Sequence, residues 1–285
     1  MNPAKSQIQA YYNSFEARIG YAIFLGGTRH FGYYFSDKSW PWPIGPALER
    51  MNSVLLGKLN THPEERVLDA GCGEGYVAIY MARKGQLYVE GIDLTPHHVV
   101  KARANVLRAG LSDRVKIREG DYHDLSDFEN ASFDAVYAME TLVHASHPDN
   151  VLQEFFRVLK PGGRLVLHDW DHTDRAKMPS KYSGLVFDRI NSGSGMPTFS
   201  SSNTDDHQRM MAEAGFSDIE QRDLSKNIVP MLWLFYIFAL VPFTILWLFG
   251  IEEWFPSTSA GVISYVYRDY WRYLQVVGTK PGGKK

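Results

Sequence analysis

Between Arg66 and Asp171, short apolar runs alternate with helix-length amphipathic segments, the pattern of an α/β domain. Five runs read as strands: Val67 to Ala70, Leu87 to Asp93, Arg114 to Arg118, Phe133 to Tyr137 and Arg164 to His168. The first three end at Gly71, Thr95-Pro96 and Gly120, residues that punctuate turns. Asp149 to Leu159 places Val151, Leu152, Phe155, Phe156 and Leu159 on one face of a helix, closed by Lys160-Pro161-Gly162-Gly163. Right-handed crossovers through such helices make the sheet parallel. Upstream, Ala47, Leu48, Met51, Val54, Leu55 and Leu59 predict a helix packed on the sheet. Downstream, a helix near Thr204 to Ala214 precedes a strand near Asp218 to Leu224, and a last strand runs from Tyr273 to Thr279. The expectation is a seven-stranded, mostly parallel sheet occupying residues 61–285, preceded by a helical cover over residues 1–60. An apolar insertion spans residues 226–272.

Composition narrows the function classes. With 285 residues, 45% hydrophobic and 22% charged, the chain can bury one sizeable core. A formal charge of -2 supplies no excess cation for counterion release, so no nucleic-acid partner is expected. The single cysteine, Cys72, and a start without an apolar leader point to a reducing, cytoplasmic compartment, including its membrane face. Aromatics crowd the first 45 residues, among them Tyr11, Tyr12, Phe15, Tyr21, Phe24, Tyr33, Tyr34 and Trp40, as a cover for a cofactor or a packed arm would require.

Asp69-Ala70-Gly71-Cys72-Gly73-Glu74-Gly75 joins the first strand to the first helix, where glycines let a ligand approach the backbone. Asp93 ends the second strand, where an acid can accept hydrogen bonds from both ribose hydroxyls. Asp121 and Tyr122 follow the third strand, placed to meet an adenine edge and ring. Any one of these acids could be a helix cap; in register with three successive strands they point to a nucleoside cofactor. NAD fits poorly, because Asp69 precedes the first glycine and Gly75 comes one residue early for a dinucleotide turn. His97-His98 reads as solvent or cofactor-edge decoration at a helix start, Cys72 as a small buried filler, and no metal site is assigned.

These motifs resemble those of the class I S-adenosylmethionine-dependent methyltransferases, with their Rossmann-like fold: Val67 to Gly75 as the first motif, Gly91-Ile92-Asp93 and Gly120-Asp121 as the acidic motifs, and Leu159 to Leu165 as the turn into strand five. The resemblance implies S-adenosylmethionine as cofactor, held by Tyr33, Asp69, Gly71, Gly73, Asp93, Leu94, Asp121, Tyr122 and Met139. Tyr11-Tyr12, His30 to Tyr34, and Ala138 to Ala145 are further similar to the branch of sterol, tocopherol and terpenoid C-methyltransferases. Methyl transfer to an apolar terpenoid, sterol-like or prenylated acceptor, at carbon or alternatively at oxygen or nitrogen, is then expected, with Glu140, His144 and Tyr12 as catalytic candidates; a non-catalytic assembly module that keeps the cofactor fold is the remaining alternative. Glu140 could stabilise positive charge, accept a proton, or hold the methionyl ammonium or a backbone N–H; His144 could act as base, orient substrate or cap a turn. Thr141-Leu142-Val143 departs from the sterol enzymes.

Ile228 to Ile251 carries no charged residue and exceeds the ~20 residues that span a bilayer. It lies between the sixth and seventh strands, neighbours in one sheet, so a single crossing would put the last strand on the wrong side. Pro230 and Pro242 are expected to break it as a helix. An apolar lid, an oligomer interface or core helix, and monotopic membrane contact all stay open, and all fit an apolar small-molecule substrate.

Overall fold

The computed structural model describes residues 9, 11, 27–173, 188, 190–198 and 203–282. Seven strands, β1 (Arg66–Ala70), β2 (Tyr88–Asp93), β3 (Val115–Glu119), β4 (Phe133–Met139), β5 (Leu159–His172), β6 (Ser217–Asp223) and β7 (Trp271–Thr279), form one sheet in the order β3-β2-β1-β4-β5-β7-β6. The first five pair in parallel, and β7 runs antiparallel to both β5 and β6.

Successive strand residues point to opposite faces, so Val67 and Leu68 enter different apolar layers. The layer under Val67 is closed by α1 (Gly45–Leu59), α2 (Tyr76–Lys84) and α3 (Pro96–Arg108) through Met51, Met81 and Val106. The opposite layer is closed by α4 (Pro148–Val158) and α5 (Asp206–Glu213) through Phe155 and Met210. Each such fully buried side chain contributes roughly 1.5–3 kcal/mol. Strand order reverses between β1 and β4, which opens a crevice at their carboxyl ends.

Two local expectations change. The helix stops at Val158, and β5 already begins at Leu159, with a register jump between the Phe133–Leu159 and Ala135–Arg164 pairs. Gly162, at φ 84°, lets the intervening residues bulge out instead of ending the strand. The second change is α6 (Ser225–Leu248), one continuous helix with Pro230 and Pro242 inside it, where breaks were expected. Side-chain packing outweighs the lost ladder bonds. Ile228 and Leu232 are buried against the sheet layer, Met231 packs with Tyr34 and Leu48, and α7 (Pro256–Val266) lies along the helix. That approach is close: a Cβ added at Gly261 would fall 2.9 Å from Ala239 Cβ. The Thr244 hydroxyl also donates to the Leu240 carbonyl at 2.7 Å, an extra tie one turn from Pro242. By length and composition α6 could cross a membrane, but it leaves β6 and the chain returns to β7, its neighbour in the sheet.

Of the N-terminal cover, Gln9 donates to the Leu94 carbonyl at 3.0 Å, and the Tyr11 hydroxyl lies 3.2 Å from Ser257 Oγ on α7. Tyr12, Phe15, Tyr21 and Phe24 lie outside the described residues.

Candidate functional site

The crevice is built by the turn after β1. Gly71 takes φ 95°, and a Cβ there would sit 2.5 Å from Thr141 Cγ2, so only glycine fits between this turn and the β4 loop. The Thr141 hydroxyl donates to the Ala70 carbonyl at 2.7 Å and fixes that contact. At the end of β2, Asp93 accepts the Gly73 N–H at 2.9 Å and the Thr95 N–H at 2.8 Å, with His98 Nδ1 at 3.1 Å. Burial alone would raise the Asp93 carboxyl, but His98 and the two backbone donors outweigh it and hold it below the usual carboxylate range. Asp93 therefore both ties down the glycine turn and keeps a negative charge in the crevice.

Asp69 differs. Burial pushes its carboxyl up to about 7, with Tyr137 pulling the other way. Its Oδ2 is buried without a well-formed hydrogen bond among the described residues. Such a group calls for a cationic partner. Glu74, in the crevice lining, takes Arg29 at 3.1 Å and Lys101 at 3.0 Å, so Arg29 adds a guanidinium to the same lining. Asp121 accepts the His123 N–H at 3.0 Å, and the Tyr122 hydroxyl donates to the Thr141 carbonyl at 2.9 Å, orienting the ring beside the crevice.

On the far side, Glu140 occupies a left-handed conformation, φ 57°, at the end of β4. Its Oε1 accepts the Phe31 N–H at 2.7 Å and the Tyr273 hydroxyl at 2.8 Å. Burial pushes this carboxyl up to about 8, and Asp169, which accepts the Val143 and Trp170 N–H groups, up to about 8 as well. His144 lies on the short 3-10 turn Leu142–His144, not on an α-helix, with Nδ1 2.8 Å from the Gly195 carbonyl. That carbonyl only accepts, so Nδ1 carries the proton, and burial lowers the ring's pKa and keeps it neutral.

Asp69, Gly71, Gly73, Asp93, Leu94, Asp121, Tyr122, Met139, Glu140 and His144 thus line one crevice. Tyr33 does not. Its N–H pairs with the Ala47 carbonyl, its hydroxyl accepts from Arg222 at 3.2 Å, and its ring meets Phe35, which turns it away from the crevice. Gly27 to His30 line the crevice in its place. Tyr12 lies outside the described residues. Sequence reasoning missed Arg29, Glu74 and Thr141; of the two readings of His98 the solvent one falls, since it is only 2% exposed, and it lines the crevice beneath Asp93. Cys72 is a buried thiol whose pKa burial pushes well up. Among the described residues no cluster of metal-ligating side chains occurs.

The residues fit S-adenosylmethionine: a turn that admits no side chain, a buried acid lacking a cation, an ionised acid at the ribose position and a nearby guanidinium.

Comparison with known proteins agrees. Residues 68–167 match the methyltransferase domain model. The chain is 42% identical over 98% of its length to the S-adenosyl-L-methionine-dependent Diels-Alderase iccD of Talaromyces variabilis, covering 96% of that protein. It is 31% identical over 78% of its length to the sterol 24-C-methyltransferase erg-4 of Neurospora crassa, covering 56% of it. Among solved structures, the [4+2]-cyclase SpnF superposes with a TM-score of 0.78 at 24% identity, covering 99% of this chain and 97% of the cyclase.

Proposed function

The chain belongs to the class I S-adenosylmethionine-dependent methyltransferase family, and we propose that it uses the bound cofactor to promote a [4+2] cycloaddition within an apolar polyene. The observation that carries this reading is the near-full-length match to a Diels-Alderase. A cycloaddition exchanges two π bonds for two σ bonds and releases neither proton nor leaving group, so it needs alignment and polarisation, not a base.

The electrostatics of the crevice support the same reading. With carboxyls near 8, Glu140 and Asp169 keep their protons at neutral pH and cannot accept another. His144, tied to Gly195, and Glu140, tied to Phe31 and Tyr273, are rigid walls suited to holding one reactive conformer. When bound, the cofactor supplies a fixed sulfonium charge and an electrophilic methyl group. Asp69 would face its ammonium, Arg29 its carboxylate, Asp93 its ribose and Asp121 its adenine edge, with Tyr122 covering the ring.

A second reading, methyl transfer to a carbon of a terpenoid or sterol-like acceptor, is favoured by the match to a sterol C-methyltransferase and by Glu140 and His144 beside the crevice. Purified protein, cofactor and a linear polyene bearing diene and dienophile separate the two. The expected product is an isomer of the substrate, formed with the cofactor unconsumed. A product one methylene heavier, with matching S-adenosylhomocysteine, overturns the proposal. Glu140→Gln, which keeps the Oε1 acceptor, should change cyclisation by less than about threefold. Methyl transfer with Glu140 as base would instead fall about 10²-fold at unchanged cofactor affinity.

A further inference from the structure

Beyond Leu234 no residue of α6 is buried. Ile237, Phe238, Val241, Pro242, Ile245 and Trp247 are exposed, and at about 100° per residue they sweep well over half the helix circumference. The tip continues this surface with Phe249 at 76% and Trp254 at 83% exposure. At the base, Trp40 packs on Trp233 with ring centroids 6.1 Å apart and stands 73% exposed, joining the N-terminal aromatic loop to the same face. We propose that the α6–α7 hairpin and this loop form a monotopic docking surface for a zwitterionic lipid bilayer.

Three features select that occupant. A flat partner, including a second copy of this chain, covers one stripe of a helix and would leave the other apolar flanks in water, whereas lipid closes around all of them. Tryptophans at both ends of the patch suit the headgroup boundary, where an amphipathic ring is favoured. Charge is missing along the hairpin between Lys226 and Glu252, and in the aromatic loop exposed Lys38 stands beside exposed Asp37, so no excess cation draws anionic headgroups and insertion is driven by apolar area. The hairpin rises from β6 and returns to β7, neighbours in one sheet, so it can dip into one leaflet and cannot thread the membrane. The start of α7, next to the tip, adjoins the crevice cover, since Ser257 meets Tyr11 while Gln9 meets Leu94. An apolar substrate dissolved in the leaflet would reach the crevice along this face, whichever reaction follows.

The test is flotation of the full chain with phosphatidylcholine vesicles on a density gradient, alongside quenching of tryptophan fluorescence by brominated lipid. Wild-type protein should float, high salt should leave binding unchanged, and quenching should reach the tryptophans. The triple variant Val241→Ser, Leu248→Ser, Trp254→Ser should lose vesicle binding by about tenfold or more. Melting temperature checks that it folds, and quenching of the wild type stands should it not. Protein that stays below the vesicles overturns the proposal, whether monomeric or assembled into a dimer that the same substitutions dissolve. Binding confined to phosphatidylserine vesicles and abolished by salt overturns it equally.

Discussion

A carboxyl held near neutrality converts cofactor binding into a proton-linked event. Asp69, raised by burial to about 7, must give up its proton before it can face an ammonium. Cofactor affinity should therefore climb as pH rises through 7 and weaken by up to about tenfold per unit below it. Calorimetry at pH 6 in buffers of different ionisation enthalpy should show about one proton released per cofactor bound, and Asp69→Asn should abolish both effects. The acids of this site were legible in the sequence because each stands at a strand end, where chain order alone fixes position: Asp69, Asp93 and Asp121 share one edge of the sheet. Their partners were not legible. Arg29 reaches Glu74 across 45 positions, Thr141 reaches Ala70 across 71, and His98 serves Asp93 only because the first turn of α3 folds back over it. Tyr33 shows the converse: aromatic density marks a segment that packs, without saying which way each ring turns.

Elements were legible where periodicity and punctuation agreed, and misread where a breaker met strong packing. The helix that became α4 was read within a residue of its ends, whereas the bulge inside β5 and the two prolines inside α6 follow from tertiary contacts that no local pattern contains. The α6–α7 pairing depends on one small residue. At Gly261 a Cβ would lie 2.9 Å from Ala239 Cβ and 3.5 Å from the Phe235 carbonyl oxygen, so Gly261→Leu must push the helices apart. A loss of about 1–3 kcal/mol in urea unfolding is expected. Cofactor affinity should stay unchanged, because the hairpin does not line the crevice.

For the whole molecule, buried ionisable groups set a narrow pH window of stability. Asp69, Glu140 and Asp169 are raised from 3.8, 4.5 and 3.8 to about 7, 8 and 8, so the stability they contribute is full below their unfolded values and drains away as pH rises toward 8. His30, His168 and His207 are lowered by burial from 6.5 to about 4, 3 and 4, so theirs is full above 6.5 and is lost as pH falls toward 3. Thermal melts of cofactor-free protein should be highest near about pH 5, where the two trends cancel, and decline on both sides. Saturating cofactor should restore the part of the alkaline decline that belongs to Asp69. A melting temperature flat from pH 5 to 9 would show that these groups are not buried as described. The strand order also bears on how the molecule is made. Because β7 fills the gap between β5 and β6, the sheet stays open at that place until the ribosome has released the residues after α7. Throughout that interval the most apolar of the described helices is already outside and still has no finished sheet to lean on, which makes nascent α6 a segment that a chaperone or a membrane surface would meet early.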